Sequence, residues 1–362
     1  MNYRSRWQQK RRERATRVRL IVIVSLLVAA AGAVLFLRGI TQPAPSGYSL
    51  ANPGVSWLSA TPDALLVTTR DGELVKLTPE LQPVATGWAS PFTHPAGFWG
   101  RSVVAGDYVL VGCEDVRVRA IDVASGVQSW ELEVGGAVPG ISADGEQAYC
   151  SSAEPALYAF TAEGEQIWRT TLEDAVAAPP FVTEETVVVG TLAGSVCAYD
   201  RATGELRWRV LPEAPAPVHA PPAMGPSSIL VGDDGGRLHS ITREGELLAS
   251  MQFEGLVRQP AAVSDAVVVA GDSSGLIMRV NPADMTEVWR THLHVALAGG
   301  PIIVGDVVWC AAGRELVVLD AEDGGVLSRR IAEATSSDLL AAHGRIYWAT
   351  TDGRVGAVAT ER

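Results

Sequence analysis

From Val55 to its last residue the chain repeats one pattern eight times with a period of about 40 residues, and a chain built that way has few folds open to it. The pattern is A-x-D-x-x-x-G-x-x-x-W, clearest in Ala120–Trp130 and Ala198–Trp208. With its Asp as a mark, the equivalent positions are Thr78, Asp122, Thr161, Asp200, Thr242, Asn281, Asp320 and Thr360, spaced 39 to 44 residues apart. Ten residues before each mark an apolar run ends on a small or turn-compatible residue, at Thr68, Gly112, Ser151, Gly190, Gly232, Gly271, Cys310 and Thr350. Two independent registers therefore agree.

Within a unit the hydrophobic pattern predicts four short strands. The fourth unit shows them best: Pro180–Thr183, Thr186–Gly190, Ser195–Asp200 and Leu206–Val210, each β-branched or aromatic and bounded by turn residues. No stretch after residue 40 has a helical period. Four-stranded units of this length, repeated eight times, predict an all-β, eight-bladed β-propeller of antiparallel blades over residues 47–362.

Trp130, Trp168, Trp208 and Trp289 fall on the outermost strand, where a large ring can reach the neighbouring blade, and are read as blade-docking residues. Ala85, Ala249 and Ser328 stand at the same position in blades one, five and seven, which are expected to pack less tightly at the rim. The chain ends after the third strand of blade eight. The segment 46–52, with Tyr48 and Leu50 alternating, is expected to supply the missing fourth strand beside Val355–Val358 and cover an otherwise bare edge.

The phrase in blades two and four resembles the tryptophan-docking motif of the pyrroloquinoline quinone (PQQ) repeat family, and the resemblance extends over residues 47–362. That family includes quinoprotein dehydrogenases and non-enzymatic propellers similar to the lipoprotein of the outer-membrane assembly machinery. The dehydrogenases carry an adjacent Cys-Cys pair, and some a CxxCH haem motif; neither occurs here. The resemblance therefore implies the non-enzymatic branch, with no cofactor, acting as a protein-interaction scaffold in the cell envelope. A PQQ-dependent oxidoreductase is the rival reading, and a small-ligand or polysaccharide sensor the third.

Leu20–Leu37 holds eighteen consecutive uncharged residues, enough for a transmembrane helix once Gly39 and Ile40 extend it. Residues 1–19 carry eight Lys or Arg against Glu13, a basic tail expected to stay cytoplasmic and leave the propeller periplasmic or extracellular. The reading is a single-pass signal anchor in the inner or plasma membrane with a short linker over 38–46; the small residues at 29–33 also have the form of a cleavage site, and the apolar run continues past them. No Cys follows the run to carry a lipid. Removing the tail's +7 from the chain's −12 leaves −19, which disfavours nucleic acid and anionic lipid as partners of the outer domain. A monomeric propeller binding an envelope protein or peptide is expected.

Cys113, Cys150, Cys197 and Cys310 lie in four different blades; the spacing leaves a Cys113–Cys150 bridge open, with buried thiols the commoner state. No catalytic motif is present, and no metal site is expected. Asp233–Gly236 and Asp272–Gly275 look like calcium loops but share one hairpin position, so turn chemistry accounts for them. His292 and His294 would point to one face, yet no third ligand is visible. Twenty-three residues before each mark stand Val55, Trp99, Val138, Ala177, His219, Arg258, Leu297 and Ser337, expected around one mouth of the central channel. Of these Trp99, His219 and Arg258, with Phe98 beside them, form the candidate interaction face, since aromatic and Arg side chains on rigidly held loops are what contact surfaces use.

Overall fold

The computed structural model describes residues 47–52, 54–84, 87–88, 91–331 and 336–360. The basic tail 1–19, the membrane helix expected over 20–37 and the linker 38–46 lie outside them. Among the described residues no helix is long and apolar enough to cross a membrane. Residues from Ser46 onward form one compact unit, built as eight four-stranded sheets.

Each sheet is an antiparallel meander, so every strand pairs with one close to it in sequence. Blade four runs Phe181–Val182, Thr186–Gly190, Val196–Asp200 and Leu206–Val210 from first strand to outermost. Its second strand is buried along its whole length and its third all but Asp200, because both faces lie against neighbouring blades, and such strands read as continuous apolar runs. Outermost strands alternate instead, as in Gln128–Glu133, with one face packed and one wet. The blades leave no central core. The buried apolar side chains fall into eight clusters, one at each boundary between adjacent blades, the nearest-neighbour packing that a repeat architecture implies.

In blade eight the outermost strand is Gly47–Ser49, antiparallel to Arg354–Ala359 with Tyr48 opposite Val355. The amide of Leu50 also donates to the Gly353 carbonyl at 2.7 Å. The two ends of the described chain thus lie in one sheet, and Tyr48 and Leu50 join the cluster that binds blade eight to blade one.

The repeated phrase acts across blade boundaries. Within its own blade Trp130 stands opposite Ala120, Trp168 opposite Ala159 and Trp208 opposite Ala198, the small partner leaving room for the ring. Immediately after each of these alanines the register shifts, a bulge that re-aims the outer strand. Each indole then crosses to the next blade. Trp130 Nε1 donates to Ala162 O at 2.9 Å, Trp168 to Arg201 O at 2.9 Å, Trp208 to Arg243 O at 2.7 Å and Trp289 to Ala321 O at 3.1 Å. Every acceptor is the residue just after the mark of the following blade. The ring lands on that blade's glycine: a Cβ on Gly204 would stand 2.7 Å from the Trp168 ring, at a φ of +74° that already favours glycine. The glycine of each phrase is therefore the receptor for the preceding blade's tryptophan, besides being a turn residue for its own.

This relation corrects the expectation for blade one. Trp88, three residues beyond Ala85, donates to Val123 O at 2.8 Å and lies on Gly126, so blade one docks like blades two, three, four and six. Blade five has no such residue. The position that would receive its ring is Met285, at φ +57° and 3% exposed, in one cluster with Ala249. Where no ring arrives, a larger side chain fills the seat.

All four cysteines are free and buried, so Cys113 and Cys150 do not pair. Their side chains belong to different blade boundaries. Burial pushes the Cys113 thiol up to about 11 and Cys310 to about 12.

Candidate functional site

A propeller strand has two ends, so its loops divide into two sets. The connections between blades share one face with the hairpins joining second to third strands. Trp99, His219 and Arg258 lie in such connections, before the first strands Val103–Ala105, Ala223–Met224 and Ala262–Ser264.

The structure brings two of them together. Asp234, in blade five's hairpin, accepts both Arg258 Nε and a second Arg258 nitrogen at 2.7 Å. His219 Nδ1 lies 3.0 Å from the same carboxylate. Asp234 thus binds the connection leaving blade five through Arg258, and its backbone amide donates to the Pro217 carbonyl of the connection entering it at 2.9 Å. The Arg258 hydrogen bonds hold the Asp234 carboxyl below its ordinary range, partly opposed by burial. The guanidinium stays half exposed, so the fork geometry is fixed while part of the cation faces solvent.

Asp233 turns the other way. Its carboxylate accepts the Arg237 amide at 2.8 Å and meets His239 Nε2 at 3.0 Å, and His239 Nδ1 meets Ser250 Oγ at 2.7 Å. The Asp233 and His239 side chains are each 2% exposed. This network beneath the face was missed in the sequence, although a signal exists: His239 occupies a strand position held by Val75, Met278 and Val317 in other blades. The neighbouring connection is fastened in the same manner. Asp272 accepts the amides of Glu254 at 3.1 Å, Gly255 at 2.6 Å, Ser274 at 2.8 Å and Leu276 at 3.0 Å. With the Asp272 oxygens committed to backbone donors and those of Asp233 shared between the Arg237 amide and His239, both act as turn locks, and among the described residues no group of three or more potential ligands is placed to hold a metal.

Trp99 stands apart from this pair. Arg70, in blade one's hairpin, lies over its ring at 5.1 Å and contacts Glu114 at 3.4 Å. Trp99 is 39% exposed, a large ring presented to solvent. Phe98 is not part of the surface. It is 1% exposed, stacks on Phe92 with centroids 6.2 Å apart and forms a backbone bridge with Cys113, so it anchors Trp99 from below. The registered ring is likewise incomplete, since Val138 is fully buried. His292 and His294 stack at 5.4 Å, and His292 faces Glu254 at 3.3 Å.

A family model described as outer membrane protein assembly factor BamB matches residues 114–272 and 273–362. Among curated proteins, an outer membrane protein assembly factor BamB of Burkholderia pseudomallei (strain K96243) is 28% identical over 185 residues, 50% of this chain and 48% of that protein. One of Yersinia pestis is 24% identical over 297 residues, 77% of this chain and 66% of that protein. The chain thus spans from about half to just under two thirds of the length of these relatives. Among solved structures, BamB from Moraxella catarrhalis superposes with a TM-score of 0.72 at 15% identity, over 88% of this chain and 98% of its own. The computationally designed Ika8 protein gives 0.75 at 16%, over 86% of this chain and 98% of its own. Sqt1 of Saccharomyces cerevisiae gives 0.77 at 11%, over 87% and 98%. At these identities the structural likeness is one of fold.

Proposed function

The chain belongs to the outer membrane protein assembly factor BamB family, and from that membership we propose that it is a non-enzymatic scaffold of the cell envelope, binding an envelope protein or peptide through the face that carries His219, Arg258 and Trp99. The observation that carries this reading is the convergence of His219 and Arg258 on Asp234. Loops from two blades are locked there by buried carboxylates, so a cation and an imidazole are presented with little freedom left to lose on binding. Trp99, on its buried Phe98, adds an aromatic anchor of the kind that dominates contact energetics.

In this reading Leu20–Leu37 anchors the chain in the inner or plasma membrane, with the basic tail in the cytoplasm and the propeller outside. The anchor keeps the domain near the membrane without a lipidated cysteine. The family's repeats serve as blade-docking elements, with no cofactor.

The test is in-membrane crosslinking followed by identification of attached proteins, comparing the native chain with a Trp99→Ala, Arg258→Ala double variant. Loss of specific adducts with unchanged thermal unfolding supports the face; the same adducts at the same yield refute it. Titration with PQQ and calcium is expected to shift neither absorbance nor melting temperature, and a saturable shift in either would favour the oxidoreductase.

A further inference from the structure

The opposite face of the disc carries a groove of about 850 Å³ that the reading above does not use. It is lined by the hairpin Thr183–Thr186 of blade four, by Arg243 and Glu244 of blade five's outer hairpin, and by Asp144 of blade three. All three are turns at the strand ends farthest from Asp234. Its size falls among ligand-binding clefts, about 300–1,000 Å³.

The two blades beside the groove share one sequence feature. Blades four and five both begin with Ala-Pro-Pro, at Ala178–Pro180 and Ala220–Pro222. Proline has no amide hydrogen to give to a ladder, so it cannot extend a paired strand inward. The first strands are accordingly two residues each, Phe181–Val182 and Ala223–Met224, against eight in blade seven, Leu297–Val304. Both strands are shortened at their entry ends, on the Asp234 face, and their exit ends place Phe181, Val182 and Met224, half-buried, in the groove lining. Trp208 completes that floor. The docking residues Trp88, Trp168 and Trp289 are 6–7% exposed, whereas Trp208, like Trp130, is only half-buried while still bound to Arg243 O.

The rim is acidic. Four carboxylates line the groove against the guanidiniums of Arg207 and Arg243. Asp144 is already paired with Arg201 at 2.6 Å and Glu185 with Arg207 at 2.9 Å. Glu184, Glu244 and Arg243 are exposed, and among the described residues no ion pair engages any of the three, which leaves the rim a net uncommitted negative charge. An apolar, aromatic floor beneath two uncommitted carboxylates is complementary to a chain that alternates apolar and cationic side chains, whose period of two would send one set down and the other to the rim.

We propose that this groove is a second binding site, taking an extended cationic polypeptide segment whose apolar side chains rest on Phe181, Met224 and Trp208 while its Lys or Arg residues meet Glu184 and Glu244. It is independent of the Asp234 face and would let one propeller hold two polypeptides on opposite sides.

Fluorescence anisotropy of a labelled nine-residue peptide alternating Lys and Leu, titrated with the full-length protein in detergent micelles, tests this. The expected result is saturable binding, at least tenfold tighter than for the matching Glu-Leu peptide. A Glu184→Gln, Glu244→Gln variant should weaken it about fivefold to tenfold, as two exposed ion pairs predict, and Met224→Arg should weaken it at least as much. A Glu163→Gln, Glu322→Gln variant, removing equal charge from the outer hairpins of blades three and seven, should change it less than twofold. Absence of saturation, equal affinity for the Glu-Leu peptide, or equal loss in both charge variants would overturn the proposal, the last because it would mark diffuse attraction to an acidic domain. All exchanged carboxylates are solvent-exposed, so thermal unfolding should match the native chain.

Discussion

Ala249 and Met285 occupy, between blades five and six, the two seats held at other boundaries by a tryptophan and the glycine beneath it. The pair behaves as a size exchange across the boundary: a small residue on the outer strand faces a large one in the next hairpin. Met285 keeps the left-handed backbone of the glycine it replaces, at φ +57°, a conformation that costs an ordinary residue about 1 kcal/mol or more. Leu81 repeats the arrangement at the boundary from blade eight, at φ +63° and 1% exposed.

The exchange should be reversible by mutation. Ala249→Trp alone overfills the boundary and is expected to cost about 1–3 kcal/mol. Met285→Gly alone empties it, a loss of about 2–4 kcal/mol after relief of the strained backbone. The double variant should recover most of both losses, giving a coupling energy above about 1 kcal/mol in denaturant unfolding. Additive losses would show that the seats are not paired.

Trp88 carries a second prediction. Trp88→Ala should destabilise about as much as Trp168→Ala, roughly 3–5 kcal/mol, since both rings are 6–7% exposed and bonded across a boundary. A loosely packed first blade would instead lose less than about 1 kcal/mol.

A third concerns the channel. Arg101, at the entry to blade two, reaches past blade one to the Asp338 carboxylate and the Leu339 carbonyl of blade eight. Asp338 also accepts the amide of Leu58, in blade one, at 2.8 Å. One carboxylate thus clasps three blades around the point where the ring closes. Asp338→Ala would leave the Leu58 amide buried without a partner and should cost about 2–3 kcal/mol, while Asp338→Asn, which keeps an acceptor, should cost less. Equal effects of the two, read by thermal unfolding, would argue against the clasp.

The Asp of the repeated phrase supplies a pH signature. Asp200 accepts from Arg207 at 2.7 and 3.0 Å and from the amides of Ala202 and Thr203 at 2.9 Å each. Led by the Arg207 bonds, these hold its carboxyl at about 2, below the ordinary 3.8. A carboxyl lowered on folding stabilises above its unfolded value and loses that contribution as pH falls through its folded one. Stability should therefore drop between about pH 4 and pH 2, and Asp200→Asn should be less stable at neutral pH with a shallower acid limb. An acid limb identical to the native one would exclude the carboxyl as its source.

Thiol chemistry tests the blade packing globally. With all four cysteines buried, a thiol reagent should label none in the folded chain near pH 8 and all four in denaturant. Rapid labelling of one in the native state would mean its blade boundary opens.

Much of the fold was legible because the strongest pairings are local. A four-stranded meander needs only short connections, so the marks from Thr78 to Thr360 counted the blades and the alternation placed their strands. The candidate site was legible in part: position along the repeat put His219 and Arg258 on one face, but nothing in the spacing revealed that Asp234 joins them, or that Phe98 turns inward while Trp99 turns out. Adjacent residues in a connection have no fixed period to divide buried from exposed.

What the amino-acid order alone determined about this protein is the number, order and strand content of its blades, because hydrogen-bonded pairing within a blade is encoded over a few residues. Tertiary structure decided the rest. Which glycine receives which tryptophan, why Trp88 serves where Ala85 was expected, and how Arg101 and Asp338 meet across 237 residues all depend on side chains from different blades arriving at one place. Such contacts are set by the angle and spacing at which finished sheets pack, and a repeat read along the chain contains neither.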